Sequence, residues 1–108
     1  MKATAETYQQ MKTATLKFMI EDAQLSELLA VELVQGAETN AYTCIREQDD
    51  EGLEMPWVNG DYSDLADKFV GSIYGGVEYH FGHLGNWGEI YAAIEACAEA
   101  VLAVKASG

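Results

Sequence analysis

Positive charge is what this chain has least of. Its 108 residues carry 6 Lys or Arg against 18 Asp or Glu, a formal charge of −12 at pH 7. One arginine and five lysines cannot neutralise a row of phosphates against that surplus, so direct binding to nucleic acid or to an anionic membrane is all but excluded. Proline is nearly absent as well, with a single residue, Pro56, and from Ala5 to Gln35 there is neither Pro nor Gly. The stretch is helical in character, made mostly of good helix formers. No run of 18 uninterrupted apolar residues occurs, which removes a transmembrane helix. Residues 1–10 are rich in Thr, Glu and Gln and lack the apolar core of a signal peptide, so a cytoplasmic, soluble protein is expected. Two cysteines, Cys44 and Cys97, stand far apart without a motif, and in a reducing compartment they are expected as small buried hydrophobes.

What is present is apolar bulk. Hydrophobic residues make up 49% of the chain, too much for a disordered acidic tail, and the length suits one domain over residues 1–108 that needs no metal or disulfide to fold. The C-terminal segment is the clearest element. Asn86 with Glu89 three residues on reads as a capping box, and Trp87, Ile90, Tyr91, Ile94, Cys97, Ala98, Val101 and Leu102 then recur at helical spacing to about Lys105. The other side carries Ala92, Ala96, Ala100 and Ala103. Either a second helix approaches closely there, making this helix the central one, or these are exposed alanines chosen for propensity.

Towards the N-terminus, Tyr8, Met11, Thr15 and Phe18 give one stripe and Leu25, Leu28, Leu29 and Leu33 another. They do not align, so the chain kinks or breaks near Glu21–Gln24, with Asp22 as a cap for a second helix and Gly36 as its stop. Inward alternation of Leu16, Phe18 and Ile20 offers a short strand as the competing reading for residues 13–20. Residues 37–47 fit a helix through Ala37, Ala41, Cys44 and Ile45, although Tyr42, Thr43 and Ile45 suit a strand. Gln48 to Gly60 is the one long loop and contains Asp49-Asp50-Glu51. Asp61 or Ser63 caps a helix through Leu65, Phe69, Val70 and Ile73, ended by Gly75-Gly76, after which Val77, Tyr79 and Phe81 alternate as a short extended stretch. The expected fold is mainly α: a compact bundle of four to five helices with one acidic loop and a short strand or hairpin at most, with α+β as the alternative.

Catalytic signatures are missing. Ser26, Ser63, Ser72, Ser107 and the cysteines lie in no nucleophile-elbow or Cys-His pattern, and no lysine follows the glycines as a phosphate loop requires. His80 and His83 around a glycine turn are the only pair with a metal-ligand flavour, but a structural zinc needs four ligands and the cysteines are not paired in spacing, so neither metal nor cofactor is expected. The aromatic residues Trp57, Tyr62, Tyr74, Tyr79, Phe81 and Trp87 bracket the loops and mostly read as core or half-buried. Trp57, at the end of the acidic loop, is the one placed to anchor a partner.

Carboxylates are spread along the chain and concentrate once, between Glu47 and Asp67. Rows of acids on helices can occupy a groove built for phosphates, whereas an acidic surface otherwise serves solubility. In size and charge the chain resembles the small acidic inhibitors of phages and mobile elements, the anti-restriction and anti-CRISPR proteins that imitate nucleic acid. The likeness is one of composition and carries no residue roles. It implies a non-enzymatic inhibitor that binds a basic surface of a nucleic-acid-handling protein. Its contact residues would be Asp49, Asp50, Glu51, Glu54 and Trp57 in the loop and Asp61, Asp64 and Asp67 on the following helix. The alternative is a helical homo-oligomeric adaptor, a homodimer through the alanine face of the last helix and the leucines near Leu29.

Overall fold

The computed structural model describes residues 3–47 and 55–107. Four long helices and one short turn account for them: α1 (Ala5–Glu21), α2 (Glu27–Glu47), the single turn α3 (Pro56–Asn59), α4 (Ser63–Phe81) and α5 (Trp87–Ser107). No strand occurs among the described residues, so the fold is a mainly α helical bundle. None of the described helices is long and apolar enough to cross a membrane.

Each start has a local cause. Thr4 caps α1 by accepting the Thr7 amide at 3.1 Å. The break after Glu21 lies where the two stripes fall out of register, but Asp22 closes α1, donating its backbone N–H to the Phe18 carbonyl. Ser26, not Asp22, caps the second helix, its hydroxyl accepting from Leu29 N–H at 3.2 Å. Gln24 between them takes φ 59°, a left-handed turn rare outside glycine. Neither Asp61 nor Ser63 is the cap of α4: Tyr62 holds that position without a side-chain cap bond, while Asp61 accepts the Ser63 amide just ahead of the helix and the Ser63 hydroxyl accepts from Ala3 N–H, tying the chain start to α4. α5 begins directly after Asn86, whose carbonyl accepts from Glu89 and Ile90.

Three breaks expected from glycine and alternation are absent. α2 passes through Gly36 because Ala30, Leu33, Ala37, Ala41 and Ile45 form one continuous buried stripe on either side of it. Likewise α4 passes through Gly75-Gly76, and the stretch from Val77 to Phe81 is its last turn and not a strand. Val77 extends the buried row of Leu65, Phe69 and Ile73 at helical spacing, while Tyr79 is 84% exposed. The strand alternatives at residues 13–20 and 41–47 yield for the same reason, since both complete helical stripes. Within the expected long loop, Pro56 starts the turn α3, which Gly60 ends in a left-handed conformation, φ 76°.

The helices pack in a ring, α4 between α2 and α5, and α1 closing the other side against both. Leu33 meets Gly76, and Asn40 meets Ser72 through a 2.8 Å hydrogen bond, so α2 and α4 run antiparallel. Close approach is concentrated at this pair: a Cβ on Gly76 would stand 2.8 Å from a Leu33 methyl, and α2 presents Ala30, Ala37 and Ala41 to the core. α5 is therefore not the central helix. Ile94 and Ala98 are its buried residues, and Ala92, Ala96, Ala100 and Ala103 face outwards. Tyr8, Met11, Met19, Ile45, Leu65, Phe69, Ile73 and Ile94 fill the centre, each large side chain contributing about 1.5–3 kcal/mol by burial. Leu28, by contrast, leaves its stripe and stands 87% exposed.

Candidate functional site

The expected contact residues divide three ways. Asp49, Asp50, Glu51 and Glu54 lie outside the described residues, as does the side chain of Trp57, whose backbone belongs to α3. Asp61 is half-buried and accepts the Ser63 amide in the turn before α4. Asp64 and Asp67 are exposed on the first turns of α4, three residues apart and hence on one side of the helix.

Asp67 is where the structure adds something. A cleft of about 880 Å³ lies over α4, flanked by α2 and α5. Val70, Gly71 and Gly75 belong to its α4 floor, Asn40 and Cys44 come from α2, and Tyr91 and Leu102 from α5. Among the described residues of the lining, Asp67, Glu95 and Glu99 are the carboxylates and Lys68 the cation. The α4 glycines keep it open: nothing lies within 4 Å of where a Cβ on Gly71 or Gly75 would be. Gly71 and Gly75 therefore have no packing reason inside this chain, although glycine in a helix interior is about 1 kcal/mol less favourable than alanine.

Aromatic contacts hold the α5 wall. Tyr74 meets Tyr91 edge-on with centroids 5.0 Å apart, and Trp87 at 5.3 Å. The Tyr91 hydroxyl donates to Glu95 Oε2 at 2.6 Å. Burial, that hydrogen bond and the charges of Glu95 and Glu99 push the Tyr91 phenol well above its ordinary range, so it stays a donor and fixes Glu95 at the cleft. Asn40 donates to the Ser72 hydroxyl, which in turn donates to the Lys68 carbonyl, bracing the opposite wall.

Outside the cleft, the remaining candidates have other settings. Cys44 and Cys97 are free and half-buried rather than core residues. Burial, then the charge of Asp22, raises the Cys97 thiol, which works against thiolate chemistry. His80 is half-buried beside the Tyr79 and Phe81 rings and His83 is exposed; among the described residues no group of three or more His, Cys, Asp or Glu could hold a metal ion. Among the aromatic residues read as core or half-buried, Tyr62, Phe81 and Trp87 are half-buried, whereas Tyr74 and Tyr79 are exposed.

Sequence reading missed Glu95 and Glu99 as partners of Asp67, because they lie on a different helix, about 30 residues away. The available signal was Gly71 and Gly75, four apart inside a helical stripe. Compared with known protein families, characterised proteins and solved structures, the chain matches none.

Proposed function

We propose that this protein is a non-enzymatic acidic binding protein that docks on a basic surface of a nucleic-acid-handling protein and blocks it. The distribution of its carboxylates carries the reading. Every described Asp and Glu is exposed or half-buried, with Glu38 paired to Lys12 and Glu21 to Lys17. With 18 acids against 6 Lys or Arg, the chain carries more carboxylates than its own cations could pair, a surplus that suits cations of another molecule. Asp64, Asp67 and Glu99 are the described residues best placed to meet them, and the sequence adds the acidic segment Asp49–Glu54.

Such an interface steers its partner from a distance, so association slows with salt and the partner's nucleic acid competes. The test is capture of the partner from cells, then association rates across a salt series. The rate should fall by about tenfold between about 50 and 300 mM NaCl, duplex DNA or RNA should compete, and Asp64→Lys, Asp67→Lys and Glu99→Lys together should abolish the complex. A salt-independent complex indifferent to these three reversals would sink the reading.

A second reading, a homo-oligomeric adaptor, draws on the outward alanines of α5 and the exposed Leu28 and Val104. Sedimentation separates the two, since a tight dimer without affinity for basic proteins favours the adaptor.

A further inference from the structure

We infer that the cleft over α4 is a docking groove for one amphipathic helix, lysine- or arginine-bearing, of the basic partner. This rests on the binding function proposed above and specifies how the partner is held. Charge complementarity selects the occupant: among the described lining residues, Asp67, Glu95 and Glu99 stand around the cleft against the cation Lys68. A second copy of this chain would bring a net charge of −12 against those carboxylates, and the chain's own segment Asp49–Glu54 is acidic too, so both are repelled.

Charge alone would not use the rest of the lining. Leu102 and the exposed Tyr74 offer apolar surface to the non-charged side of an incoming helix, and half-buried Tyr91 lines the cleft beside Glu95, a setting that suits a lysine or arginine stem. Gly71 and Gly75, one helical turn apart with open space above both, let another backbone come close. At about 880 Å³ the cleft has room for several anchoring side chains at helical spacing, beyond a single lysine.

The probe is a pair of peptides of about 18 residues with identical Leu and Lys content, one with its leucines on a single helical face and one scrambled. Each is titrated against the full chain by fluorescence anisotropy at about 150 mM NaCl. The amphipathic peptide should bind at least about tenfold tighter, a preference worth one decade in Kd. Gly71→Leu with Gly75→Leu fills the groove and should erase that preference, leaving the weak, salt-sensitive binding both peptides share. Circular dichroism checks that the variant folds, and the milder Gly71→Ala with Gly75→Ala should reduce the preference part of the way.

Equal affinity for the two peptides, or a preference that survives the leucines, overturns the groove. So does a dimer that dissociates when the groove is filled, which would assign it to self-association. The broader reading fails differently: Asp64→Lys, Asp67→Lys and Glu99→Lys would then leave both peptides bound as before. Loss of both peptides on charge reversal, without any effect of groove filling, would end the groove while leaving the acidic docking function standing.

Discussion

Tyr8 is fully buried, yet its hydroxyl reaches Glu38 Oε2 at 2.7 Å, where Lys12 Nζ also donates at 2.6 Å. The ammonium sits 5.3 Å from the Tyr8 ring centroid, so one carboxylate joins α1 to α2 through two donors that also contact each other. Burial pushes the Glu38 carboxyl up, but the hydrogen bonds from Lys12 and Tyr8 and the Lys12 charge outweigh it and hold the carboxyl below its ordinary 4.5. Burial and Glu38 together push the Tyr8 phenol far above its usual range, which keeps it a donor. Tyr8→Phe should cost about 1–2 kcal/mol by denaturant unfolding, because Glu38 keeps Lys12 and is not orphaned. A depressed carboxyl stabilises the fold above its unfolded value and loses that contribution as pH falls through the folded one. The melting-temperature gap between the wild type and Glu38→Gln should therefore be widest near neutral pH and close as pH drops below about 4.5. A gap unchanged at low pH would contradict this account.

At the scale of elements, glycine decides little without its neighbours. Gly36, Gly75 and Gly76 all look like helix ends in the sequence, and all three lie inside helices. Gly36 is exposed with open space where its Cβ would be, so Gly36→Ala should stabilise by about 0.5–1 kcal/mol. Gly76→Ala gains the same propensity but must displace a methyl of buried Leu33, and it should fall short of Gly36→Ala by about 1 kcal/mol. Thermal unfolding of the two variants side by side checks both; a destabilised Gly36→Ala would mean that α2 does not run through. The C-terminal helix was legible from Trp87 to Leu102 because its apolar residues keep one period. The end of α4 was not, because Val77, Glu78, Tyr79, His80 and Phe81 alternate in polarity as a strand would. Only the burial of Val77 against exposed Tyr79 separates the two periods.

Across the whole molecule, self-repulsion is the dominant electrostatic fact. With every described carboxylate at or near the surface, the compact state carries −12 within extents of 39 × 31 × 21 Å. Salt should stabilise it. Screening about 1 kcal/mol of repulsion would raise Tm by roughly 4–8 °C for a domain of this size between low salt and about 0.5 M NaCl. A Tm that falls or stays flat over that range would show that attractive pairs outweigh the repulsion. The same salt that stabilises the free protein should weaken its proposed complex, so the two effects are separable in one titration series.

The sequence by itself determined the helical class, the apolar period of the last helix from Trp87 to Leu102, and a net charge of −12. These follow from local periodicity and from counting, which need no partner residue. Tertiary structure alone decided that the two helices expected on either side of Gly36 are one, that the extended stretch expected after Gly76 continues α4, that α2 and α4 rather than α5 make the closest packing, and that Asp67 meets Glu95 and Glu99 over an open floor of Gly71 and Gly75. Those outcomes depend on which distant residue stands opposite each position. A glycine followed by the continuing stripe of a helix is buried or bypassed according to what packs against it, and carboxylates on separate helices become neighbours only when the bundle closes.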